Sequence, residues 1–148
     1  MNKIIIGIIF FGVLIIAWYL ISPVFIVKEM HEAAPVQLEQ SAESEKKNTL
    51  TTDFKPSAHD VQGQAMLIQN QEGSILRFED FNTINGPDLR IYLSTGLDVN
   101  DAIDLGPIKA TKGSVNYNIP QGVDTSKYNK VLVWCRAFGV LFSYAEFP

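Results

Sequence analysis

The sequence predicts an all-β domain, an antiparallel sandwich or barrel-like fold of about six to eight strands, carried behind one N-terminal transmembrane helix. Three observations predict it. An uncharged run, Ile4 to Val27, lies near the start of the chain. A polar stretch without hydrophobic period follows, from Lys28 to Asp60. From Val61 to Pro148, short apolar–polar alternations are separated by Gly, Pro, Asn and Asp, and no sustained helical period occurs.

The run "IIIGIIFFGVLIIAWYLISPVFIV" is long enough as a helix to reach roughly 36 Å, more than a hydrocarbon core of about 30 Å. A helix buried in a small soluble domain carries a polar face, and this one has none. A cleaved signal peptide has an apolar region of only about 7–15 residues before its small-residue cleavage site. Here the next small residues, Ala33 and Ala34, come after the charged "KEMHE", so an uncleaved anchor over residues 4–27 is expected. Trp18 and Tyr19 sit toward its far end as interfacial aromatics do, and Pro23 can kink or end it. Lys3 and the α-amino group precede it with no acid. The expected orientation places the N-terminus in the cytoplasm and the remainder outside it, at the cell surface or in a periplasm.

Residues 28–60 are rich in Glu, Gln, Ser, Thr and Lys, with Phe54 their only aromatic. Such a stretch buries too little apolar surface to offset ordering, and reads as a flexible tether with a transient helix over Val36 to Lys47.

Residues 61–148 form the expected β domain. "QAMLIQ" and "SILRFEDF" flank Gln71-Glu72-Gly73, a hairpin signal. "DLRIYLS" places Leu89, Ile91 and Leu93 on one face, with Arg90 and Tyr92 on the other. "VNYNIP" alternates Val115, Tyr117 and Ile119 against Asn116 and Asn118. "VLVWCRAF" and "VLFSYAEF" are the last two strands, with Gly139 at the break.

Composition narrows the function classes. The net charge is −4 and the basic residues are not clustered, which gives no nucleic-acid footprint. The β domain contains no histidine, and no serine–histidine or paired-carboxylate arrangement occurs, so a hydrolytic enzyme is not expected. His31 and His59 lie in the tether, and with Met30 and Met66 they show no haem-ligand spacing.

Cys135, the only cysteine, is the first candidate. In an extended strand it shares a face with Val131, Val133 and Ala137, while Leu132, Trp134, Arg136 and Phe138 share the other. Two readings stand: a core residue, since free cysteine is among the most buried types, or a redox thiol, which needs solvent access and a nearby cation. Arg136 is adjacent but points to the opposite face. Outside the cytoplasm an unpaired thiol is buried, reactive or paired between chains. Asp88, in the turn Gly86-Pro87-Asp88, either caps that turn or binds a ligand. Asp98, Asp101 and Asp104 bring calcium to mind, yet lack the glycine and terminal glutamate of an EF-hand loop.

"GPDLRIYLS", "IDLGPIKATKGSVNYNIP" and "YNKVLVWCRAFGVLFSYAEF", in that order, resemble the DM-thirteen domain, a family labelled for electron transfer. The resemblance falls on Gly86, Pro87, Asp88, Leu89, Tyr92, Leu93 and Ser94. It continues on Leu105, Gly106, Lys109, Gly113, Tyr117 and Pro120, and ends on Trp134 and Cys135. It covers nearly all of residues 61–147 and leaves anchor and tether outside. It implies a β-sandwich-like module outside the cytoplasm, of a kind found beside DOMON domains, which bind haem or sugars.

Two functions follow. In one, the module is redox-active or electron-transferring, with Cys135 as thiolate, metal ligand or mixed-disulfide partner and Trp134 and Tyr144 as aromatic neighbours. A single thiol cannot cycle through an intramolecular disulfide, so this reading requires a cofactor, a sulfenic acid or a partner thiol. Haem and copper are the cofactors that come into view, and no ligand spacing supports either. In the other, the domain is a non-catalytic binding or structural module with Cys135 in its core. The expected partners are the lipid bilayer, through Ile4 to Val27, and an extracytoplasmic protein or redox partner.

Overall fold

The computed structural model describes residues 2–35, 49–70 and 73–148. Helix α1 spans Lys3–Ile21, and a single 3₁₀ turn, Ser22–Phe25, ends it at Pro23. No side chain of α1 is buried, and its Ile, Phe and Trp residues are exposed on every side. Among the described residues it is the one helix long and apolar enough to cross a membrane.

Ten strands follow among the described residues: β1 Glu29–His31, β2 Thr49–Asp53, β3 Lys55–Pro56, β4 Val61–Asn70 and β5 Gly73–Thr83. The remainder are β6 Leu89–Ser94, β7 Ile103–Pro107, β8 Lys112–Ile119, β9 Lys130–Cys135 and β10 Val140–Glu146. They build two five-stranded sheets, ordered β1-β8-β5-β4-β2 and β3-β10-β9-β6-β7. Every pairing is antiparallel except β1 with β8. The all-β expectation holds, with a sandwich as its form.

The period-2 alternation is what closes the core, because burial of one face of a strand selects every second residue. Leu89, Ile91 and Leu93 of β6 point inward with Val131, Val133 and Cys135 of β9. Leu76 and Phe78 of β5 and Val115, Tyr117 and Ile119 of β8 meet them from the other sheet. Phe54 lies between β2 and β3, where the chain leaves one sheet for the other. Its ring sits edge-on to Phe78 at 4.8 Å and to Phe81 at 4.9 Å between centroids, a favoured geometry for aromatic pairs.

Three readings of the sequence change. The stretch 28–60 is not a free tether along its described parts, because residues 29–31, 49–53 and 55–56 are strands within the two sheets. They are short, polar edge strands, whose backbone bonds leave no hydrophobic period to read. The helix expected over Val36 to Lys47 lies outside the described residues, as do Gln71 and Glu72 of the expected hairpin. "VLVWCRAF" is strand only as far as Cys135, and Arg136 to Gly139 form the turn into β10. Residues 103–107, which the alternation did not mark as a strand, supply β7, which pairs with β6.

The registers sort the loops to two ends. At one end lie the start of β1, the loop 84–88, the loop 108–111 and the turn 136–139. The loop 95–102 and the stretch 120–129 lie at the other. The chain from α1 therefore joins the domain at the first end.

Close approach of β1 to β8 depends on Gly113, whose φ is +115° and whose Cα pairs with Met30. A Cβ there would strike the Met30 carbonyl, and L-residues disfavour that φ. Gly113→Ala is expected to displace β1 and destabilise the domain by more than about 1 kcal/mol. Thermal unfolding of the full chain in detergent checks it, and an unchanged midpoint contradicts it.

Candidate functional site

Cys135 closes β9 at the end of the sandwich nearest α1. Its side chain is 0% exposed. Its cross-strand neighbours are Leu89 of β6, in the core, and Val140 of β10, half-buried against it. The turn at Asn85-Gly86 lies over this end of the core. A Cβ on Gly86 would come within 3.1 Å of Phe142 and 3.2 Å of Leu89, which explains a residue without one.

Two polar contacts latch the end. The Arg136 backbone N–H donates to the Asp88 carbonyl at 2.9 Å. The Arg136 Nε donates to the Asp88 carboxylate at 2.6 Å. The expected turn-capping is done by Asn85 instead, whose side-chain oxygen accepts from the Gly86 N–H at 2.9 Å. Asn85 also donates to the Ile26 carbonyl at 3.0 Å, joining the turn to the chain leaving α1.

Trp134 and Tyr144 lie on the outer face of the same sheet and do not share a face with the thiol. Trp134 stands between Arg90 and Leu141, and Tyr144 stands beside Leu132, which Tyr92 flanks on its other side. The Lys55 ammonium lies 5.9 Å from the Tyr144 ring centre. The apolar rows of this outer face explain why β9 reads as apolar on both sides.

The acidic loop is engaged within the protein. Asp98 accepts from the Asn100 N–H, Asp101 from the Ser94 and Thr95 hydroxyls, and Asp104 from Arg90 and the Gly106 N–H. Among the described residues, no three His, Cys, Asp or Glu side chains gather in a way that could hold a metal ion. His59 packs against the Phe142 ring, 4.1 Å between centroids. Ser143, also inward-facing, has a buried hydroxyl without a hydrogen-bond partner. Such a group costs roughly 1–3 kcal/mol.

A second polar cluster, unforeseen from sequence, fixes β1. Arg77 of β5 is 5% exposed on the outer face of its sheet. Its Nε donates to Glu79, and its Nη1 donates to the carbonyls of Glu32 and Ala33 at 3.2 Å each and to the Asn116 side chain at 3.0 Å. The Glu32 carboxylate accepts from the Asn116 backbone N–H at 2.6 Å and from the Lys109 ammonium at 3.1 Å. Glu32 thus extends past the end of β1 the bonding that β1 makes along β8. The one sequence signal was an arginine in the middle of a mainly apolar strand, and its partners other than Glu79 lie 39–45 residues away.

The sequence profile described as Electron transfer DM13 matches residues 53–147. The chain belongs to that family. The match takes in the corner at Phe54, the turn at Gly86, the latch of Asp88 with Arg136, and Cys135. The β1 segment and its clamp at Glu32 precede the matched residues. No curated protein and no solved structure matches the chain significantly. DM13 membership supports a redox-type module, and among the described residues no set of His, Asp or Glu side chains joins Cys135 to form a metal centre. Leu89 and Val140 are its strand neighbours, and both lack a ligating atom.

Burial pushes the Glu32 carboxyl upward, but the Asn116 N–H and the Lys109 ammonium outweigh it and leave its pKa lowered. Its stabilisation is therefore complete above the ordinary glutamate value of about 4.3, and is lost as pH falls through the lower folded value. Denaturant unfolding of the full chain from about pH 6 to about pH 3 should cost the wild type more stability than Glu32→Gln. Parallel losses would contradict this account.

Proposed function

We propose that the chain is an extracytoplasmic redox-type module of the DM13 family, anchored in a membrane by α1, in which Cys135 reacts only after the latched end of the sandwich opens. Membership of an electron-transfer family supports the redox class. The observation that carries the gating is the full burial of Cys135 beside the exposed turn that follows it. A thiol must meet its partner's sulfur directly to exchange with it, so the closed end keeps it inert. The Asp88–Arg136 contacts and the Asn85 turn are what opening must break.

Anchoring is supported by the apolar surface that α1 exposes on every side, which requires an apolar surrounding. Retention of the anchor is supported by β1 and Glu32, since cleavage at Ala33 or Ala34 would remove both from the domain. Lys3 ahead of α1 supports a cytoplasmic N-terminus.

A second reading is favoured by the same burial: Cys135 is a core residue, and the domain binds a partner without redox chemistry. Maleimide labelling of the full chain across a denaturant series separates the two. Local opening gives a labelling rate that is insensitive to low denaturant and exceeds the rate set by global unfolding. Asp88→Asn should then raise the rate by up to about fivefold, the reach of an exposed ion pair, with global stability little changed. Labelling that follows global unfolding throughout, equally in both proteins, overturns the gated thiol and leaves the core reading.

A further inference from the structure

The end of the sandwich that receives the chain from α1 also carries exposed apolar side chains. Phe138, in the turn 136–139, is 54% exposed, and Ile84, beside Asn85, is 42% exposed. Phe25 and Val27, between α1 and β1, are more exposed still, and Ile26 between them matches Phe138. We infer that this end is a bilayer-contact surface, with Ile84 and Phe138 seated in the headgroup layer of the membrane that α1 spans. The inference rests on the anchoring proposed above.

Chain length and hydrogen bonding bring the two together. The 19 residues of α1 rise about 28 Å, and the four of the 3₁₀ turn about 8 Å more. Together they cross a hydrocarbon core of about 30 Å and end in the headgroup layer. Ile26 is the next residue, and its carbonyl is bonded to Asn85. Lys28 follows: its N–H donates to the Thr111 hydroxyl, and its carbonyl accepts from the N–H groups of Thr111 and Lys112. No slack chain separates membrane and domain. The loop holding Ile84 is therefore carried to the level where α1 emerges.

Phe138 is drawn to the same level through the latch, because Arg136 is bonded to Asp88 three residues beyond Asn85. Apolar tips seated about 5–10 Å into the headgroup and acyl boundary gain from burial without spanning it. Lys28, exposed, and Arg136, paired with Asp88, lie at the same end. The opposite end, with Leu97 exposed in the loop 95–102, is directed away from the lipid. In the gated reading, opening of the latch then takes place at the lipid surface.

The test uses the full chain in phosphatidylcholine vesicles containing lipids brominated high on the acyl chains, which quench nearby tryptophans. In a background of Trp18→Phe and Trp134→Phe, Phe138→Trp places a reporter on the turn and Leu97→Trp places one at the far end. Trp134→Phe alone retains Trp18 as a reporter of the span. The expected result is strong bromolipid quenching at 138, with aqueous iodide quenching severalfold weaker there than at 97. Ile84→Trp in the same background should repeat the result, so a local disturbance at 138 does not decide it. Iodide quenching at 84 and 138 as strong as at 97, with Trp18 still quenched by bromolipid, overturns the contact surface and leaves the anchor. Loss of Trp18 quenching overturns the anchor and the surface with it.

Discussion

The docking of Ile26 to Ala33 onto the edge of β8 and the turn at Asn85 is the constraint on which the rest of this structure depends. Three kinds of contact make it: parallel pairing at 29–31, the Asn85 and Thr111 bonds to the chain ahead of β1, and the Arg77–Glu32 clamp behind it. Each alone is a modest interaction, and β1 is only three residues long. Together they bond the segment to its neighbours on both sides of the three-residue strand, which a short edge strand needs in order to persist. Arg77 also shows why the clamp is strict. A guanidinium so buried requires its acceptors, and two of them are main-chain carbonyls that only the docked segment supplies.

That constraint ties the end that receives the chain from α1 to the thiol. The turn at Asn85 is held on one side by Ile26 and on the other packs over Leu89 and Phe142, next to Cys135. On the outer face of the same sheet, Trp134 of β9 and Tyr144 of β10 lie on the side opposite the thiol. Cys135 is thus enclosed by elements of very different strength. Paired strands of the sheet hold most of its surroundings, while a surface ion pair and one backbone bond hold the rim. In the gated reading proposed above, opening confined to that rim is the low-cost route to the sulfur.

Much of the sandwich was legible because a half-buried strand writes its inner face at every second residue. Leu89, Ile91 and Leu93 lie where alternation places them, as do Val115, Tyr117 and Ile119. The strands at 29–31 and 49–53 were not legible, since polar edge strands are held by backbone bonds that side-chain pattern does not record. The surroundings of the candidate residues were legible in part. Alternation set Cys135 and Trp134 on opposite faces, yet the partner of Asp88 lies 48 residues away, and no local signal names it. Asn85, which caps the turn, carried a recognisable turn chemistry that the neighbouring aspartate obscured.

Amide hydrogen exchange on the full chain in a bilayer tests the docking most directly. The N–H groups of Thr111 and Lys112 donate to Lys28, and that of Glu32 donates to Ser114. The account predicts protection at all three comparable to that of the β5–β8 ladder. Exchange at the rate of unstructured chain at these amides, with β5 and β8 still protected, would contradict it.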